Sequence, residues 1–122
     1  VFSETLLDHF ENPRNVGELD GPSAVVDVAN PICGDELRLS VRVEDGRLSE
    51  VRYQTRGCAA SIATGSALTE LLAGKSVDEL PAVTSAQIEE AVGGLPSTSK
   101  HAASLGLDAV RALAAALRSR TG

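Results

Sequence analysis

Tryptophan and methionine are absent from this 122-residue chain, and it holds only two phenylalanines and one tyrosine. So thin an aromatic complement leaves little with which to stack bases or sugars. Its core must instead be built from Ala, Leu and Val. Positive charge is also scarce: 11 Lys and Arg stand against 17 Asp and Glu, a formal net charge of −6. Phosphate-backbone binding needs a positive field, so nucleic acid is not an expected partner. An acidic balance suits a protein that meets basic partner surfaces. No apolar run approaches about 18 residues, so no membrane span or membrane partner is expected. The opening "VFSETLLDHFENPRN" carries acids inside its apolar stretch and lacks both a basic lead and a small-residue cleavage site, unlike a signal peptide. The expected setting is cytoplasmic, where thiols stay reduced. Only two cysteines occur, with no Cys-x-x-Cys, which excludes a thioredoxin-like couple and a zinc ribbon. There is no Gly-rich phosphate loop, no Gly-x-Ser-x-Gly and no His-Glu-x-x-His, so hydrolase and nucleotide readings have nothing to rest on.

What is present reads as one domain over residues 1–122. Phe2, Leu6, Leu7 and Phe10 recur at helical spacing over 2–11, with Ser3 as a cap and Asn12–Pro13 as the stop. "VGELDGPSA" is loop-like. Strands follow at 24–29, 36–44 and 47–57. In the second, Leu37, Leu39, Val41 and Val43 alternate inward against Arg38, Ser40 and Arg42 outward. Asp45–Gly46 is a hairpin turn, and the alternation slips near Ser49 and Glu50, where a bulge is expected. From Cys58 the period turns helical, with Ile62, Leu68, Leu71 and Leu72 as its stripe and Gly74 as its end. "SVDE" and "TSAQ" read as capping boxes, opening a short turn and a helix to about Val92. A final long helix spans 100–118, apolar at Leu105, Leu107, Val110, Leu113, Ala114 and Leu117. Strands first and helices second, with one polar sheet face, give an α+β fold.

Three segments carry chemistry. In "PICGDE", Pro31 and Gly34 define a tight turn into the second strand, so Cys33 and Asp35 can project from one edge. Thiolate with carboxylate suits iron or zinc better than magnesium. The same tripeptide also reads as a buried cysteine beside a turn-capping aspartate. In "TRGCAAS", Cys58 lies where a strand yields to a helix, near unpaired N–H groups and with Arg56 beside it. Such a setting promotes the thiolate, the form that binds metal or attacks sulfur. Gly57, Ala59 and Ala60 would keep the approach open. The plain alternative is a small apolar side chain packed under the helix. In "KHAASLG", His101 opens the last helix after candidate caps at Ser97, Thr98 and Ser99, a place that equally suits a solvated histidine. His9, beside Asp8 and without a neighbouring thiol, is the weaker of the two histidines.

Together, "FENPRNVGELD", "PICGDELRLSVRV", "VRYQTRGCAASIATGSALTELLAGKSVDEL" and "LPSTSKHAASL" resemble the U-type iron–sulfur cluster assembly scaffolds, a family that includes the N-terminal domain of the nitrogen-fixation scaffold. The likeness runs in order from about Leu6 to the last helix. It implies a small antiparallel sheet of about three strands with helices on one face, an N-terminal helix and a long C-terminal one. It also implies a carrier without turnover chemistry, in which Cys33, Asp35, Cys58 and His101 bind iron or a labile [2Fe–2S] cluster. The implied partners are a cysteine desulfurase that supplies sulfur and apo iron–sulfur client proteins that receive the cluster. Zinc is an implied occupant of the isolated protein. The alternative role is a zinc-bound accessory that accepts sulfur on Cys58 or modulates the desulfurase. Two departures stand out: the third family cysteine falls on Ala102, and the chaperone-recognition stretch stops after Leu95 and Pro96. An Hsp70-type chaperone is accordingly not an expected partner.

Overall fold

The computed structural model describes residues 2–31 and 34–121, the last three by backbone alone. Strands β1 (Ala24–Ala29), β2 (Glu36–Glu44) and β3 (Arg47–Arg56) form an antiparallel meander in that order. Asp45 and Gly46 both hold positive φ, 54° and 76°, so the hairpin closes through the two-residue turn whose twist matches that of its strands. Arg42 faces Glu50 while Val43 faces Leu48. Ser49 is thus the extra residue of a bulge, where the alternation slips.

Leu37, Leu39 and Val41 point into the core as their period of two requires. Ser40 departs from it. Expected outward in solvent, it is only 1% exposed. The reason is the chain from Val16 to Ser23, which crosses the outer face of the sheet. Val16 bridges Tyr53 on β3, the Leu19 N–H donates to Ser40 Oγ at 3.3 Å, and the Ser23 N–H donates to Val41 O at 2.7 Å. Arg38 pairs with Glu18 and Asp27, and Arg42 donates to Asp20 O at 2.9 Å. The polar face is therefore strapped by its own loop.

Helices α1 (Glu4–Glu11), α2 (Ala59–Leu72), α3 (Ser85–Ala91) and α4 (His101–Thr121) lie on the other face, with 3-10 turns at Val77–Ala82 and Ser97–Ser99. None is long and apolar enough to cross a membrane among the described residues. Both capping boxes form: Ser76 N–H donates to Glu79 Oε1, and Thr84 and Gln87 bond reciprocally. α2 ends at Leu72, two residues before Gly74, whose φ of +86° turns its N–H onto Leu48 O at 2.8 Å.

α2 is buried nearly all round, not along one stripe. Ala60, Ala63, Ala67 and Leu68 are enclosed, and so are Ser61, Thr64, Ser66 and Thr69. Such small side chains let β3, α1, α3 and α4 approach it from several sides. A Cβ built on Gly65 would lie 2.5 Å from the Tyr53 ring. Its absence lets the ring lie beneath the helix while the Tyr53 hydroxyl donates to Ile62 O at 2.9 Å.

α1 corrects the expected apolar face. Ser3 caps it, accepting from Leu6 N at 3.0 Å, but Leu7 and Phe10 are 42% and 39% exposed. Leu6 and His9 are the buried pair. His9 turns inward because α2 offers it a polar partner, with Nδ1 2.7 Å from Ser66 Oγ. Ser66 accepts the Arg14 N–H at 2.9 Å, and because the other ring nitrogen faces a carboxylate and carries the ring proton, the hydroxyl donates to Nδ1. The remaining ring N–H faces Glu70, 3.4 Å away.

Two outcomes follow from these packings. Gly65→Ala should lower unfolding stability by about 1–3 kcal/mol through overpacking against Tyr53, read from urea midpoints. Burial, then the Arg14 charge, hold His9 below the usual histidine range, with Glu70 and Asp8 opposing. The fold thus favours the neutral ring, and the unfolded chain takes the proton first. The contribution of this group is whole above about pH 6.5 and is lost as pH falls below it. His9→Gln should narrow the gap between urea midpoints at about pH 7.5 and about pH 5, and an unchanged gap would contradict this assignment.

Candidate metal centre

The turn between β1 and β2 is closed by Gly34 N–H donating to Asn30 O and Asn30 N–H donating to Asp35 O, both at 2.8 Å. Gly34 takes φ +78°, which L side chains rarely adopt, and the chain then enters β2 directly after Asp35. The Asp35 residue is 7% exposed and lies against Gly57 at the end of β3. A Cβ at 57 would fall 2.6 Å from Asp35 Cγ. The bare glycine makes room for the acid; the sequence had suggested that it clears an approach to the thiol.

Cys58 is the N-cap of α2, and His101 is the first residue of α4. Two helix N-terminal ends therefore meet at this point, a setting that favours negative charge. Cys58 Sγ stands 3.7 Å from Asp35 Oδ2 and 3.6 Å from His101 Nε2. His101 Nε2 stands 3.5 Å from the same Asp35 oxygen. A tetrahedral ion bound at about 2.3 Å to sulfur and about 2.0–2.2 Å to nitrogen and oxygen separates its donors by roughly 3.4–3.6 Å. The triangle thus has the size such an ion requires before any side chain moves. Sulfur, nitrogen and oxygen together suit zinc or iron, and among the described residues they supply three of the four donors of a tetrahedral site. Cys58 is exposed and His101 half-buried, so the triangle lies at the surface of the molecule.

Of the residues expected to converge, Asp35, Cys58 and His101 do so. Cys33 lies outside the described residues. His9 is engaged with Ser66 and Glu70 at the α1–α2 contact. Arg56 is exposed, with its guanidinium 3.9 Å from Glu36, so its ion-pair partner is on β2. Ala102 is buried in the apolar core beside His101. Sequence reasoning missed Ser61, whose hydroxyl donates to Asp35 Oδ2 at 2.5 Å and lies 3.6 Å from Cys58 Sγ. The signal was available: positions 58 and 61 are one helical turn apart and share a face.

Residues 1–122 match the family described as NifU-like N terminal domain. The chain is 42% identical over 111 residues to "Iron-sulfur cluster assembly scaffold protein IscU 1" of Archaeoglobus fulgidus, covering 91% of this chain and 72% of that protein. It is 39% identical over 124 residues to "Iron-sulfur cluster assembly scaffold protein IscU" of Escherichia coli, covering 98% of this chain and 96% of the relative. Among solved structures, a nitrogen-fixing NifU-like protein (N-terminal) from Brucella abortus shares the fold. Its TM-score is 0.62 at 22% identity, over 94% of this chain and 83% of that one.

Gly57→Ala should push the Asp35 carboxylate out of its place and weaken zinc binding by about 10–100-fold while leaving the chain folded. A competition titration against a chromophoric chelator reads this directly, and parent-like affinity would contradict the inferred geometry.

Proposed function

This chain belongs to the NifU-like N-terminal domain family, and from that premise we propose that it is an iron–sulfur cluster assembly scaffold whose Asp35, Cys58 and His101, joined by Cys33, hold iron or a labile [2Fe–2S] cluster as cargo. The observation that carries this reading is the donor triangle of 3.5–3.7 Å. Residues 1–122 act as one scaffold domain, and the cluster leaves with its recipient. The protein turns over no substrate of its own.

The chemistry of the donors agrees with a cargo that must be released. Nitrogen and oxygen ligands in place of thiolate shift a cluster's potential and ease its loss. Ala102 removes one further sulfur, so retention depends on the carboxylate and the imidazole. Exposure of Cys58 gives a sulfur-donating cysteine desulfurase and an apo client protein access to the same edge. The net charge of −6 favours encounter with basic surfaces on such partners. The expected setting is cytoplasmic.

The same triangle also supports a second role, because it has the size that one tetrahedral ion needs. In this role zinc occupies the site and the protein serves a desulfurase as an accessory sulfur acceptor, with Cys58 as the accepting thiol. Mass spectrometry after incubation with desulfurase and cysteine separates the two readings: no added sulfur on either cysteine removes the acceptor role.

Anaerobic reconstitution with ferric iron and sulfide should give a coloured protein with stoichiometric iron, and a colourless, iron-free product would end the scaffold reading. Ala102→Cys should slow the loss of iron to a chelator if the ligands converge as argued. Iron loss at the parent rate would count against that convergence.

A further inference from the structure

We infer that Ser61 is a positioning residue of the metal centre, holding the Asp35 carboxylate as the third corner of the donor triangle; the inference rests on the reading that Asp35, Cys58 and His101 bind metal. A carboxylate buried like that of Asp35 needs a hydrogen-bond donor. Ser61 supplies one from 26 residues away in sequence. The residue is 3% exposed and sits in the first turn of α2, on the same face as Cys58.

Its hydroxyl has one proton and, among the described residues, two neighbours. The carboxylate oxygen lies at 2.5 Å and the sulfur at 3.6 Å. The shorter contact is in the range of a charge-assisted O–H···O⁻ bond, so the hydroxyl donates to Asp35 Oδ2 rather than to the sulfur. This arrangement leaves the sulfur's lone pairs for an ion. Oδ2 is also the oxygen that stands 3.7 Å from Cys58 Sγ and 3.5 Å from His101 Nε2. Ser61 and the Cys58 thiol both donate to this one oxygen, and a metal ion would take the place of the thiol proton.

The opposite side of the carboxylate is closed by Gly57. Asp35 is therefore gripped by residues on both sides of Cys58 in the chain. The segment that delivers the thiol also sets where the acid stands. With Ala102 in place of a further sulfur, a fixed carboxylate matters more to this site than to one rich in thiolates.

The test is an anaerobic Co(II) titration, with zinc competition, of the parent and of Ser61→Ala, Ser61→Thr, Asp35→Ala, Cys58→Ala and the Ser61→Ala/Asp35→Ala pair. Ser61→Ala should bind about tenfold or more weakly, with shifted ligand-field bands, and Ser61→Thr should restore both. In the Asp35→Ala background, Ser61→Ala should cost nothing further, because it acts through that carboxylate. Urea midpoints establish that each variant is folded, and Ser61→Gly serves as the hydroxyl-free variant if alanine is not tolerated. A folded, hydroxyl-free variant with the parent's affinity and bands overturns the inference while leaving the metal centre standing. So does a further tenfold loss in the Asp35→Ala background. A parent that binds no Co(II), or Cys58→Ala binding as the parent does, overturns the metal-centre reading and the inference with it.

Discussion

Asp35 carries its carboxylate into a place where water scarcely reaches, and it is held there by the Ser61 hydroxyl at 2.5 Å. That bond joins the entry of β2 to the first turn of α2, two segments far apart in sequence. It fixes where the thiol of Cys58 stands relative to the acid. His101 then completes the group from the start of α4. The contacts of one buried side chain thus tie together the starts of a strand and two helices.

The position of α2 follows from its side chains. A helix of Ala, Ser, Thr and Gly can be approached closely by its neighbours, and here β3, α1, α3 and α4 all contact it. Gly65 receives the Tyr53 ring, and Ser66 meets both His9 and the backbone of Arg14. Cys58 heads this helix, so its thiol is exposed while the helix behind it is buried nearly all round. Rigid presentation of a reachable sulfur is what a site for a transferable cargo needs.

Much of this was legible in the sequence, and for local reasons. The Asp45–Gly46 turn, the slip at Ser49 and the two capping boxes depend on a few neighbouring residues, and each forms as the residues indicate. Long-range features were not legible in the same way. Ser40 was read as solvent-facing because alternation cannot reveal a loop crossing above it. Leu7 and Phe10 share the helical spacing of Leu6 yet are exposed, because spacing marks a stripe but not which residues meet a neighbour. The polar demand of Ser66 rotated His9 inward instead. Asp35, Cys58 and His101 were identified by motif and family resemblance, and the distances among them came from the structure. Ser61 escaped, and Gly57 was assigned to the approach of the thiol, because the role of each is defined by a carboxylate far away in the chain.

The strap from Val16 to Ser23 bears on a hazard outside the metal centre. A small open sheet offers its outermost strands to other chains, and extended backbone left unpaired is a template for fibrous association. β3 is guarded on that side by short pairings at two points, the parallel bridge of Val16 to Tyr53 and the antiparallel bridge of Arg47 to Ser76. Intermolecular pairing is thereby hindered at both places on β3, and the cover comes from the chain's own connecting segments with no additional strand.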